Sequence, residues 1–336
     1  MCDNNNIRNI YIFITITLLT LTSCLPNNGQ EKVATKTHFN IYIVSDLSNR
    51  VNNILYPKPI QDTVIISAYI KNFDSVLHLG NRLINQKDRL QYQVVNNEFY
   101  NLMPTGITDN LKIDIARFDN EGKQARRIEY VKKSMAGDLN RMSGDIDQFY
   151  DSAAKHQYGA DIWTYLNNFS PSNSINKSDT ATVFNLDENQ TIHNKISNII
   201  FLFTDGYIEA GLYNKGYDLG QKMVNVIRDE YHKSRMHNLD QFLDAHPEYS
   251  IKPLTNNELK KVNIIVMEAY DRSLSKSGAA TTHPTDTEIL KAVWKQWMQK
   301  SGVPIFELHP YVNSIQEANA IFYKFLEKVQ NNKTRS

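Results

Sequence analysis

The chain has 336 residues and a formal net charge of +1, so it lacks the basic excess by which an electrostatic nucleic-acid binder holds phosphates. Hydrophobic residues make up 41% of it and aromatic residues 10%, which is material for a large core. Its two cysteines, Cys2 and Cys24, exclude a framework of several disulfides, so stability has to come from burial.

At the amino terminus, Arg8 is the one basic residue before an apolar stretch from Ile10 to Leu21, and Leu21-Thr22-Ser23-Cys24 follows. The stretch is shorter than the about 20 residues a spanning helix needs, and it matches a signal-peptide core. L-T-S-C resembles a bacterial lipobox, in which cleavage occurs before the cysteine and lipid is joined to it. The resemblance implies that residues 1–23 are a lipoprotein signal peptide, that Cys24 is the lipidation site, and that the protein is held on a membrane of the bacterial cell envelope. Leu25 after the cysteine, in place of an aspartate, leans by resemblance to sorting patterns toward the outer membrane. An ordinary secretory signal or a membrane anchor with a chance cysteine is the alternative. Cleavage would remove Asp3 along with Arg8 and leave the charge balance unchanged.

Residues 24–37 are polar, centred on Asn27-Asn28-Gly29-Gln30, and read as a flexible tether. From residue 38 to 332 strand and helix patterns alternate. Phe39–Asp46 is a first strand. Gln61–Ile84 has apolar residues near helical spacing, with Asp74-Ser75 as an interruption. Leu90–Val95 and Leu111–Ala116 read as strands nearer an exposed edge. Arg127–His156 is a long amphipathic helical region broken near Ser143-Gly144, and Asp161–Phe169 a short helix. Ile196–Thr204 is a central strand, Leu219–Leu243 a long helix ending before Pro247, and Val262–Ala269 another strand. Asp286–Met298 is helical, Val303–Leu308 a short strand, and Ile315–Val329 a closing helix. This alternation predicts an α/β fold: a doubly wound, mostly parallel sheet flanked by helices. Insertions are expected near residues 49–60, 170–195 and 231–258, the first as a loop over the ends of the strands and the last as a hairpin or bracket.

Two strands carry the chemistry. Phe39–Arg50, F-N-I-Y-I-V-S-D-L-S-N-R, and Asn198–Gly206, N-I-I-F-L-F-T-D-G, are apolar, β-branched runs that each end in an aspartate. Such runs read as strands buried on both faces, and ligands of open α/β sheets sit outside the carboxyl ends of the strands. Asp46, Ser48, Thr204 and Asp205 would then share one crevice, and two carboxylates with hydroxyls suit Mg²⁺, Mn²⁺ or Ca²⁺. A lone aspartate after a strand more often caps a helix or tightens a turn; the pairing of two shifts the balance toward a site.

D-L-S-N-R resembles the D-x-S-x-S motif of von Willebrand factor A domains, and F-L-F-T-D-G resembles their later strand ending in T-D-G. The resemblance implies metal roles for Asp46, Ser48 and Asp205, as in that family's metal-ion-dependent adhesion site. Arg50 stands where the family has its second serine, and Gly159-Ala160-Asp161-Ile162 has alanine in place of the middle-loop threonine, leaving Asp161 as its oxygen donor. Asp161 is read equally well as a helix cap. Arg50 could instead fill the crevice, paired with Asp205 or Asp161. Asp271 and Arg272 follow a strand and can line the same crevice, though a salt bridge within their turn is the plainer reading. His232, His237, His283 and His309 lack the spacing of paired ligands, and Gly206–Gly220 lacks both nucleotide-binding glycine orders.

Three functions fit these residues. The first is a lipid-anchored binding module whose metal crevice meets an acidic residue of a protein partner. The second is a metal-free structural or assembly lipoprotein with an Arg-filled site. The third is a metal-dependent phosphohydrolase, which would need a second acid where Ser48 stands.

Overall fold

Strand β1, Lys32–Ser45, opens the part of the chain that the computed structural model describes: residues 32–82, 85–118, 123–171, 179–184, 189–209, 218–275 and 277–332. Cys24 and residues 1–23, the stretch expected to be a signal peptide, lie outside these residues. The elements that follow are helix α1 (Asp62–Lys71), α2 (Phe73–Leu77), strand β2 (Arg89–Val94), α3 (Ile107–Asn110), β3 (Lys112–Asp114), α4 (Gln124–Glu129), α5 (Met135–Ala153) and α6 (Ile162–Asn168). Then come β4 (Asp179–Phe184), β5 (Asn189–Phe203), α7 (Gln221–Ser234), α8 (Leu239–Ala245), β6 (Val262–Ala269), α9 (Asp286–Lys300), β7 (Phe306–Pro310) and α10 (Ile315–Asn331).

The strands form one sheet in the order β3-β2-β1-β5-β6-β7, with β4 pairing to β5. β1 with β2, β5 with β6 and β6 with β7 are parallel, and the short edge strand β3 is antiparallel. β1 and β5 also run the same way: Asn40 bonds to Asn198 past the middle of each strand, and the Asp46 amide donates to the Phe203 carbonyl at their ends, 2.9 Å away. Period-2 alternation splits the side chains between two cores. Ile41, Ile43, Phe201 and Phe203 face a layer built from α1, α5 and α10, with Tyr69, Phe149 and Phe322 among its members. Tyr42, Val44, Ile200 and Leu202 face the other layer, from α6 to α9, where Trp163, Phe242 and Trp294 pack. Both faces are covered, as the apolar runs require, and the doubly wound, mostly parallel α/β sheet is established.

The larger of two compact units is Thr35–Asp179 with Asn194–Ser336.

Several boundaries differ from the sequence expectation. Part of the expected tether, from Lys32 on, belongs to β1, and the stretch read as an insertion near 170–195 contains β4 and the start of β5. The long helix after Arg127 is not broken at Ser143-Gly144, where α5 runs through; its irregularity is a wide π turn at Tyr130–Ser134. The helix from Leu219 is two helices, because Arg235 takes a left-handed φ of 56° at the end of α7 and Asn238 caps α8. α8 sinks Phe242 and Leu243 into the second core, so it is part of that layer. Among the described residues no helix is long and apolar enough to cross a membrane.

Candidate functional site

Strand order reverses between β1 and β5, and the crevice outside their carboxyl ends is where an open α/β sheet binds its ligands. Here the structure brings Asp46, Ser48, Arg50 and Asp205 to the wall of one cleft of about 670 Å³, with Tyr56, Tyr207 and Arg272. Thr204 joins from beneath: its hydroxyl donates to Asp46 Oδ2 at 2.8 Å, tying the two strand ends together. Asp46 Oδ1 accepts from the Ser48 amide at 2.9 Å, which tightens the chain as it leaves β1. After Asp205, Gly206 adopts φ +86°, and a Cβ there would lie 3.3 Å from Leu290 Cδ1, so the T-D-G turn is held to glycine. Trp294 Nε1 fixes that turn by donating to the Gly206 carbonyl at 2.7 Å.

The cations are placed otherwise than the sequence predicts. Arg50 is buried and does not reach Asp205 or Asp161. Its Nε donates to the Asp46 carbonyl at 2.9 Å and lies 3.9 Å from Asp46 Oδ2, while Nη2 pairs with Asp62. The group that fills the crevice is Arg272, whose Nη2 donates to Asp205 Oδ2 at 2.8 Å. Its guanidinium lies over the Tyr207 ring at 3.8 Å and near the Tyr56 ring at 5.2 Å, so stacking and ion pairing hold it at once. Asp161 stands apart. It caps α6, accepting from the Thr164 amide at 2.8 Å and the Thr164 hydroxyl at 2.7 Å, and lines a second cavity.

Under the cleft lies a buried charge cluster that the sequence reading missed. Asp62 accepts from Arg50, from Lys58 and, at 3.1 Å, from the Tyr150 hydroxyl. Lys58 Nζ is 3.4 Å from Glu268 Oε2, an ion pair without hydrogen-bond alignment. Glu268 sits in β6 with φ +72°, within a register shift of the β6–β7 pairing between Val266 and Ala269. An acid after the apolar run I-I-V-M, within V-N-I-I-V-M-E-A, was the signal for it. Lys58 and Asp62 look unremarkable in sequence, one in a loop and one in the first turn of a helix.

Burial and the neighbouring Asp46 push the Asp205 carboxyl up to about 6, against the pull of Arg272. Burial and Asp62 push Glu268 up to about 7, against Lys58. Burial also opposes the charge on Asp62, yet Arg50 and Lys58 hold its carboxyl well below the usual range.

These neighbours decide how far the residues fit a resident divalent ion. Asp46 and Asp205 offer two negative charges, and Arg50 and Arg272 already oppose them at 3.9 Å and 2.8 Å. A divalent ion added there would meet two guanidinium groups in a partly dry site. Among the described residues no group of three or more His, Cys, Asp or Glu side chains is placed to hold a metal. The donor set does not fit a bound divalent ion while Arg272 stays in place.

No family model matches the chain, and no curated protein matches it.

Proposed function

We propose that this protein is a lipid-anchored binding and assembly module of the bacterial cell envelope, in which Arg272 takes the place of a metal ion. The observation that carries the reading is the Arg272–Asp205 pair at the switch point of the sheet, 2.8 Å long and stacked on Tyr207. The resemblance of D-L-S-N-R and F-L-F-T-D-G to von Willebrand factor A motifs supports a role in holding a protein partner. Arg272, 21% exposed at its side chain, is the cation that would meet the partner's acidic residue. The loop from Asn49 to Ile60 supplies adjoining surface, with Ile54 90% and Leu55 60% exposed.

Capture of partners from solubilised membranes tests this. The wild-type chain retains its partner in chelator, and Arg272→Ser loses it. Capture that disappears with chelator defeats the proposal and restores the metal reading. A second measurement needs no partner. Mg²⁺, Mn²⁺ and Ca²⁺ leave the wild-type melting temperature unchanged, whereas Arg272→Ser frees Asp205 beside Asp46 and gains about 1–3 kcal/mol in excess metal. A wild-type gain in metal that Asp46→Ala or Asp205→Ala removes would contradict the filled crevice.

The anchor has its own test. Cys24→Ser should release the protein from membranes or leave an uncleaved precursor, while the wild type partitions into detergent. A single acyl chain holds only marginally, so stable anchoring calls for the several chains a lipobox implies. An unmodified Cys24 in the mass spectrum of the mature protein ends this part of the proposal.

A further inference from the structure

A second concavity differs in chemistry from the crevice. It lies beside the carboxyl end of β2, between that strand and α6, with a volume of about 430 Å³. A smaller one of about 290 Å³ adjoins this groove, with Gln93, Asn97 and Tyr165 lining both. Among the described residues lining both, none is Lys, Arg or His, and Glu98 and Asp161 are the charged ones. That lining selects against phosphates, carboxylates and other anions. What it offers is side-chain amides from Gln93, Asn97 and Asn168, hydroxyls from Thr164 and Tyr165, and the aromatic side chain of the largely buried Phe169.

The walls are fixed before any ligand arrives. Tyr165 Oη donates to Gln93 Oε1 at 2.5 Å, which leaves the Gln93 amide nitrogen as a donor. Asn96 Nδ2 holds the Gly159 carbonyl at 2.6 Å, and Asn256 Nδ2 holds the Phe169 carbonyl at 2.6 Å. Asn97, Glu98 and Asn168 are exposed along the rim. Planar amide and carboxylate groups, each able to meet neighbouring hydroxyls, together with an aromatic ring and no net positive charge, match an uncharged polyhydroxylated ligand. At about 430 Å³ the larger cavity falls within the roughly 300–1,000 Å³ range of small-molecule sites.

We propose that this groove is a binding site for the end of a neutral glycan, separate from the Arg272 crevice. The test uses the full chain in a detergent without a sugar headgroup. Saturation-transfer NMR is run with cellobiose, maltose and N,N′-diacetylchitobiose, and with putrescine as a cationic probe. At least one disaccharide binds at millimolar concentration. Asn168→Ala and Gln93→Ala each weaken that binding about tenfold, the worth of one lost hydrogen bond. Asn168→Ala keeps the wild-type melting temperature, since that side chain is exposed, whereas Gln93→Ala removes the acceptor of the Tyr165 hydroxyl and lowers it by a few degrees, with the chain still folded at the temperature of the experiment. Arg272→Ser leaves sugar binding unchanged, so failure here is distinguishable from failure of the partner-binding reading. No saturation transfer from any of the disaccharides overturns the proposal, as does binding of putrescine alone or sugar binding indifferent to both alanine variants.

Discussion

Replacing Asp62 by alanine should cost about 3–5 kcal/mol of stability, the usual consequence of leaving a buried ion without its partner. Asp62 is 3% exposed and joins Arg50, Lys58 and Tyr150 beneath the cleft. Without it, among the described residues, the two buried cations face Asp46 and Glu268, and the Tyr150 hydroxyl keeps Ser45 as its partner, at 2.9 Å. The melting temperature should fall by about 10 °C, since a chain of this size shifts roughly 2–4 °C per kcal/mol. Arg50 and Lys58 bracket the 49–60 loop, so its amides should exchange hydrogen faster in Asp62→Ala than in a control of equal instability made in the core, such as Ile65→Ala. A drop of less than about 1 kcal/mol, inside the range of ordinary surface changes, would show that the cluster does not hold the loop.

Stability should also rise, not fall, on mild acidification. Asp205 and Glu268 are raised to about 6 and about 7, above ordinary values of 3.8 and 4.5. A carboxyl raised on folding binds its proton more tightly in the folded state. Its contribution is therefore complete below the unfolded pKa and is lost as pH climbs through the folded one. Between pH 8 and pH 5 each group contributes up to about 1.4 kcal/mol per pH unit while it titrates, so the gain amounts to a few kcal/mol in all. Asp62, Asp88 and Glu307 act in the opposite sense. Each is held below its ordinary value, and its contribution disappears as pH drops further. The thermal stability profile should thus peak near pH 4–5. Glu268→Gln, close to Glu in shape, should flatten the upper limb of that profile. A profile that is level from pH 5 to pH 8, or rises toward pH 8, would rule out the raised carboxyls.

The identity of the two key strands was written in the sequence. F-N-I-Y-I-V-S-D and N-I-I-F-L-F-T-D-G are apolar without a polar face, so they need cover on both sides, and a parallel sheet wrapped by helices is the arrangement that gives it. That Asp46 and Asp205 share a crevice also followed, because both end such strands and β1 and β5 flank the switch point. Helix ends were less legible. Arg235 stops α7 by a single left-handed residue, which any helical period runs through unmarked. What only the tertiary structure decided is which cation meets which carboxylate. From the sequence Arg50 reads as a partner for Asp205 or Asp161, but in three dimensions it turns under the cleft to Asp62 and the Asp46 carbonyl. Arg272, 67 residues from Asp205 in sequence, arrives on the neighbouring strand's exit and takes the crevice. Coulomb interaction depends on distance through space, and buried charges are costly enough that the fold pairs them wherever strand order brings them together.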